Sequence, residues 1–196
     1  MILIKKMYIC LMKRDFRSVL KPSAQMFQLC EPAKHFESTL TSGLTKIYQS
    51  PSLPTEIKAC TYLLDVYGLR ITEVLNITNH DIDLHGRIKI KGLKGSSNRI
   101  ITGGHYEAYF INCKNKNIHP FTIYDRFFYY RLFKKMGIFI SFCNYAKRAV
   151  THACRHQFIA EMQQSGSDIL DAQKYIGHKS VKSTEHYVKK CSSRKN

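Results

Sequence analysis

One short segment in the middle of the chain alternates apolar and basic residues and is followed by a run rich in glycine and serine. Arg87–Lys91 reads RIKIK, Gly92–Asn98 carries the Gly and Ser residues, and Arg99–Thr102 reads RIIT. A period of two predicts half-buried strands, and the Gly-rich interval predicts a hairpin or a three-stranded sheet. Most other segments space their apolar residues as helices do. The sequence therefore predicts an α+β fold that is mainly helical, with one small antiparallel sheet.

The predicted helices are separated by clear stop signals. Thr55–Tyr67 places five apolar residues at helical spacing and is followed by Gly68; these residues are Ile57, Cys60, Leu63, Leu64 and Tyr67. Further helices are predicted at His35–Ser50, Thr72–Ile77, Thr122–Lys135, Ala153–Gln164, Asp168–Tyr175 and Val181–Lys189. The run Phe127–Tyr130 (FFYY) lies within one of them and is interpreted as core, with stacking on nucleic-acid bases as the alternative.

The chain carries a large positive charge, because 31 Lys and Arg against 14 Asp and Glu give +17 at pH 7. The excess is present in both halves of the chain, so it predicts a basic folded surface rather than a basic tail. Such a surface favours a polyanionic partner, of which nucleic acid is the commonest. The alternatives for this charge are an anionic membrane surface, association with the ribosome, and solubility alone.

The cysteines and the N-terminus restrict where such a protein works. Seven cysteines, with no CxxC pair, argue against a disulfide framework and against a zinc finger or ribbon. Reduced thiols are typical of the cytosol. Met1–Met12 is apolar but too short to span a bilayer, and it lacks the order of a signal peptide. We therefore expect a soluble, cytoplasmic protein with no membrane partner, no metal and no other cofactor.

Three separated segments hold residues suited to chemistry at a phosphate. They are Gly68–Glu73 (GLRITE), His152–His156 (HACRH) and Gly177–His178, the last followed nine positions later (187 − 178 = 9) by Tyr187. In-line cleavage of a phosphodiester builds negative charge on the non-bridging oxygens. Arginine suits that charge, because its planar fork binds phosphate bidentately and stays protonated. Arg70 and Arg155, on separate predicted helices, can contact both oxygens, and His152 lies three residues before Arg155.

These motifs together resemble the tyrosine recombinase (phage integrase) family, which shows GLRxxE around its first arginine, HxxRH around its second, and LGH before its nucleophilic tyrosine. The resemblance covers about Ser38–Lys189, with Ile-Gly-His in place of Leu-Gly-His. It implies the fold of that family's catalytic domain, in which Tyr187 is the nucleophile. The other catalytic residues implied are Arg70, Arg155, His152, His178 and, as general acid on the hairpin turn, Lys94.

The resemblance implies a site-specific DNA recombinase of the integrase or invertase type, which cleaves and rejoins double-stranded DNA through a 3′-phosphotyrosine intermediate. It also implies a homotetramer on DNA. Two alternatives stay open: nicking and closing like that of type IB topoisomerases, and a degenerate DNA-binding module that no longer cuts.

Several details of the resemblance concern single residues or the ends of the chain. Lys91 is the nearest rival of Lys94 as general acid, although the alternation places it within a strand. Glu73 is expected to hold Arg70 or to cap its helix. Many family members carry a separate N-terminal domain that completes a clamp around DNA. Here we expect only an extension at residues 1–37, with the catalytic domain at residues 38–196.

Overall fold

The computed structural model describes residues 34–93, 96–142, 145–164, 168–178 and 180–181. Within these ranges the chain forms helices joined by short connections and two small sheets. The helices are α1 (Lys34–Gln49), α2 (Thr55–Val66), α3 (Ile71–Leu75), α4 (Glu107–Asn115), α5 (Arg126–Lys135), α6 (Ala153–Gln164) and α7 (Ile169–Ile176). The strands are β1 (Arg87–Ile90), β2 (Arg99–Thr102), β3 (Ile140–Phe142) and β4 (Tyr145–Ala149). The mainly helical α+β class is thereby confirmed.

Helix α2 is the centre of the main apolar core. All five residues predicted to share its buried face are buried, and the helix packs against α6. Gly68 follows the helix with φ +58°, a left-handed conformation that glycine adopts without strain. A Cβ at this position would lie 2.8 Å from the Phe158 ring on α6. The end of α2 and helix α6 therefore approach each other closely.

Strands β1 and β2 form the predicted hairpin, as a two-stranded antiparallel sheet. Ile88 lies opposite Ile101, and Ile90 lies opposite Arg99. Ile88, Ile90 and Ile101 are buried, whereas Ile100, the neighbour of Ile101 on β2, is 71% exposed. The side chain of Arg99 shares the strand face of Ile101, because alternate residues of a strand point the same way. The hairpin therefore directs an arginine toward the interior.

Several elements differ from their sequence-based predictions, and one is helix α4, which was not predicted. Helix α5 begins at Arg126 rather than at Thr122, because the Asp125 side chain accepts a hydrogen bond from the Phe128 amide (2.7 Å) and caps the helix there. The preceding loop is held instead by the buried Glu56, which accepts from the Ile123 amide. The second hairpin, β3–β4, was not predicted.

Helices α6 and α7 were both predicted and lie close together, sharing a small apolar cluster around Ile159 and Ile176. The predicted last helix, Val181–Lys189, lies outside the described residues except for its first. Among the helices that the structure describes, none combines the length and the apolar character needed to cross a membrane.

Candidate active site

Arg70 lies at the N-terminus of α3, just after the turn that ends α2. The turn at Gly68 and the buried Leu69 set its backbone in the extended conformation, with ψ 144°. The Arg70 side chain is 16% exposed, so it reaches the surface only in part. A guanidinium in this position can still contact a ligand that approaches from solvent.

Glu73 both holds Arg70 and caps its helix, so the two roles expected of it are combined. Its Oε2 accepts from the Arg70 backbone amide at 2.9 Å, and its Oε1 lies 3.1 Å from Arg70 Nη1. The same Nη1 donates to the hydroxyl of the buried Ser96 on the hairpin. Arg70 is thereby oriented from two sides, by its own helix and by the hairpin.

Arg155 is fully buried in the first turn of α6. Its Nη1 donates to the Gly68 carbonyl at 2.7 Å, and its Nη2 donates to the Ile176 carbonyl at 3.3 Å. Nη2 also lies 2.9 Å from Nε2 of His178. One guanidinium therefore joins the end of α2, the end of α7 and the histidine that follows α7.

His178 is held by the backbone arrangement that ends α7. The Gly177 amide donates to Lys174 and the His178 amide to Gln173 (2.9 Å), which is a Schellman motif with Gly177 in the left-handed conformation (φ +75°). The Gln173 side chain returns a bond to the His178 carbonyl at 2.9 Å. The imidazole is thus presented next to Arg155 by a rigid turn.

The electrostatics of the cluster follow from its burial and its three guanidiniums. Burial, together with the positive charges of Arg155 and Arg70, lowers the pKa of His178 to about 4. Burial alone would raise the pKa of Glu73, but Arg99, the Arg70 amide and Arg155 hold that pKa below its ordinary value. At neutral pH the site therefore combines a neutral imidazole, one carboxylate and three guanidiniums, and its net charge is positive.

No role was predicted for Ser96 or Arg99. Arg99 Nη2 donates to Glu73 Oε2 at 3.0 Å, and only 11% of its side chain is exposed. The signal for Arg99 was present, because the alternation that buries Ile101 also turns Arg99 inward. An inward-facing charge requires a partner of opposite charge. Ser96 carries no comparable signal, because loop serines are common.

The remaining predicted residues are His152, Lys94 and Tyr187, with Lys91 as the alternative general acid. His152 lies one residue before α6, and its side chain is exposed whereas that of Arg155 is buried. The prediction that both face one phosphate is therefore untested. Lys94 and Tyr187 lie outside the described residues. Lys91 lies just after β1 rather than within the strand, and it forms an ion pair with Asp81 at 2.9 Å at the start of the hairpin loop.

The described cluster suits an anionic ligand with several acceptor oxygens, because it offers guanidinium donors within a partly enclosed, positively charged site. Among the described residues, no group of three or more His, Cys, Asp or Glu is arranged to hold a metal ion. The site therefore has the donors and the positive charge that a phosphate ligand would require.

Comparison with known proteins identifies the family. The sequence profile of the phage integrase family matches residues 39–194, so the chain belongs to that family. The chain is similar to tyrosine recombinase XerC of Rickettsia canadensis (29% identity over 151 residues, 67% of this chain and 46% of the relative). It is also similar to tyrosine recombinase XerA of Thermococcus kodakarensis (25% identity, 69% of this chain and 52% of the relative). It spans about half the length of these relatives.

Solved structures agree on the fold. The crystal structure of XerA recombinase superposes with a TM-score of 0.56 at 22% identity, covering 85% of this chain and 61% of the other. The catalytic domain of bacteriophage HP1 integrase gives the same TM-score at 17% identity, covering 85% of this chain and 91% of the other. The expected catalytic-domain fold is therefore confirmed.

Proposed function

We propose that this chain is the catalytic part of a site-specific recombinase that cleaves and rejoins double-stranded DNA through a 3′-phosphotyrosine intermediate. The observation that carries the proposal is the junction of Arg70, Arg155 and His178, which come from three separate sequence motifs. The contacts around Gly68 and His178 bring the three motifs together in one partly enclosed site. The relatives of the chain are named as recombinases, and the net charge of +17 of the chain suits DNA.

Arg70 and Arg155 are proposed to bind the non-bridging oxygens of the scissile phosphate. Negative charge grows there as the nucleophile adds, so fixed guanidiniums stabilise the transition state more than the ground state. Their charge takes the part that a divalent metal plays in many nucleases, so the reaction needs no metal ion. His178 adds a neutral donor to the same oxygens.

Residues of this chain can supply every group that the cleavage reaction needs. The Tyr187 phenolic oxygen attacks phosphorus, the bond from phosphorus to the 5′-oxygen breaks, and that oxygen takes a proton from Lys94. We assign the phenolic proton to His152, which is exposed and lies three residues before Arg155 in the same motif. Rejoining runs in reverse: a 5′-hydroxyl attacks the phosphotyrosine and releases Tyr187.

Lys94 is preferred to Lys91 as the general acid on the basis of the contacts at each end of the hairpin loop. Lys91 is paired with Asp81 at the start of the loop. Ser96, two residues after Lys94, contacts Arg70 directly, and its amide donates to the Leu93 carbonyl at 3.1 Å. The residues that flank Lys94 therefore lie beside the proposed phosphate site.

The proposed function extends to assembly and location. A homotetramer on DNA, a cytoplasmic location, and the division into residues 1–37 and 38–196 are part of this proposal. Strand exchange needs two DNA duplexes and four strand cuts, so four nucleophiles are required. Sedimentation of the protein with and without a DNA target would test the tetramer.

The decisive experiment traps the intermediate. A nicked suicide substrate loses a short 5′-hydroxyl fragment on cleavage, so the covalent protein–DNA adduct cannot be resealed. We expect an adduct that forms in the presence of EDTA and maps to Tyr187. Tyr187→Phe should bind DNA without forming an adduct, whereas Tyr130→Phe, which alters an exposed tyrosine on α5, should form it normally. An adduct in Tyr187→Phe, or none in the native protein on any target DNA, contradicts the proposal.

A further inference from the structure

Arg99 is a largely buried arginine at the start of a strand. It lies at the start of β2, on the inward face, with 11% of its side chain exposed. Its Nη2 donates to Glu73 Oε2 at 3.0 Å, while its Nη1 makes a long contact (3.5 Å) with the Ser97 carbonyl of its own loop. Its charge is thus directed at Glu73 rather than at solvent.

Glu73 connects Arg99 to the proposed phosphate site. The carboxylate uses Oε2 for Arg99 and for the Arg70 amide, and Oε1 for Arg70 Nη1. Removal of Arg99 frees one side of the carboxylate, which can then rotate and change the direction of Arg70. The fully buried Glu73 side chain is coupled to both arginines and has no solvent to replace either.

Arg99 also packs against the turn that carries His178. A Cβ on Gly177 would be 2.7 Å from Arg99 Nη1, so the guanidinium packs against this glycine and a side chain here would have to displace it. The Ser97 amide donates to the Gly177 carbonyl at 2.8 Å, and Ser96 forms a β-bridge with His178. The start of β2 is therefore attached to the His178 turn through both backbone and side chain.

We propose that Arg99 is a positioning residue: it orients Glu73 so that this carboxylate aligns Arg70, and it fixes the hairpin against the Gly177–His178 turn. The inference deepens the proposed cleavage reaction and rests on it. Arg99 contacts Glu73 on one side and packs against Gly177 on the other. It acts through these groups.

An arginine suits this role better than a lysine. Its planar fork contacts the carboxylate with one nitrogen and packs the other against Gly177, whereas a lysine ammonium is a single point of contact. Arg99→Lys should therefore keep the ion pair with Glu73 and lose the packing. Partial activity in this variant, between that of the native protein and Arg99→Met, is the expected result.

The test compares single-turnover cleavage of the suicide substrate at saturating protein. Arg99→Met should slow cleavage by about tenfold to a hundredfold, as small misplacements of catalytic groups do. Arg87→Met is the matched control, because Arg87 lies on the same hairpin in an exposed ion pair with Asp83. It removes the same charge and should cleave as the native protein does. Equal rates for Arg99→Met and Arg87→Met overturn the proposal.

A double-mutant cycle shows whether Arg99 acts through Glu73. If it does, Arg99→Met should slow the Glu73→Gln protein far less than it slows the native protein, because both changes disable one unit. Independent losses that multiply overturn the proposal. Thermal unfolding of each variant identifies those that fail to fold. If Arg99→Met is one of them, the cleavage rate of Arg99→Lys relative to the native protein tests the proposal instead.

Two further readouts distinguish a positioning role for Arg99 from a role in proton transfer. Replacing the bridging 5′-oxygen by sulfur makes protonation of the leaving group unnecessary, so it should not rescue Arg99→Met; rescue would assign Arg99 to the Lys94 loop and overturn the proposal. NMR titration of the histidines needs no activity. Arg99 faces His178 together with Arg155, Arg70 and Glu73. Arg99→Met should raise the pKa of His178, whereas an unchanged pKa overturns the proposal even if the native protein forms no adduct.

Discussion

Nε2 of His178 lies 2.9 Å from Nη2 of Arg155. A guanidinium donates hydrogen bonds and never accepts them, so the imidazole accepts at Nε2 and carries its proton on Nδ1. The lowered pKa of His178, about 4, agrees with this neutral form. The buried arginine therefore selects the tautomer of the histidine.

The first prediction concerns acid stability. The pKa of His178 is about 4 in the folded protein against an ordinary value of 6.5, so between these values the unfolded chain binds more protons. The free energy of unfolding should therefore fall as the pH falls from 6.5 to 4, by up to roughly 3 kcal/mol from this group. Urea unfolding at pH 7 and pH 5 measures this change in the free energy of unfolding. His178→Asn should show a shallower pH dependence, and identical slopes would contradict the assignment.

The second prediction separates the two arginines. Arg155 is fully buried and bonded to two main-chain carbonyls, whereas Arg70 is 16% exposed. Alanine at either position should slow cleavage by about a hundredfold or more, on the scale of losing one strong oxyanion donor. Arg155→Ala should in addition lower the free energy of unfolding by about 2–4 kcal/mol, through the cavity and the carbonyls left without donors.

Cleavage on the suicide substrate and urea unfolding of both variants check this difference. DNA binding should change little in either, because the chain has 31 Lys and Arg and many others are available for phosphate contacts. Cleavage that survives Arg155→Ala within a few-fold would remove Arg155 from the proposed mechanism. A larger loss of stability in Arg70→Ala than in Arg155→Ala would contradict the structural role assigned to Arg155.

The third prediction concerns Gly177→Ala. The backbone here has φ +75°, and the new Cβ would press on Arg99 Nη1. We expect a loss of about 1–3 kcal/mol in stability from the backbone strain, and slower cleavage because His178 and Arg99 shift. Gly137→Ala provides the control, since Gly137 has φ 78° but follows α5. It should be destabilised without a specific loss of cleavage. Equal effects of both variants on cleavage at matched stability would argue against a role for the turn.

The fourth prediction identifies the general acid. Lys94→Ala should slow cleavage of ordinary DNA and recover on DNA whose bridging 5′-oxygen is sulfur, because a thiolate leaves without protonation. Lys91→Ala should cleave both substrates alike, since Lys91 is occupied by Asp81. The cleavage rates of the two variants on the two substrates decide which lysine is the general acid. Rescue of Lys91→Ala, with none for Lys94→Ala, would reverse the assignment.

The local elements of this protein were predictable because their signals are local. The period of two in RIKIK and RIIT, the helical spacing in α2, and the glycines after α2 and α7 all act through neighbouring residues. Helix α5 begins later than predicted because two single hydrogen bonds decide where it starts. Asp125 caps the helix, and Glu56 binds the preceding loop.

The sequence by itself determined which residue types are available for phosphate chemistry and in what order, because motif spacing survives without coordinates. Tertiary structure alone decided their relations: that Arg155 is buried, that it holds Gly68, Ile176 and His178, and that Glu73 is shared by Arg70 and Arg99. These contacts join residues up to 87 positions apart in the chain. They depend on how helices and hairpin pack, and burial then sets the charge of His178 and the direction of each guanidinium.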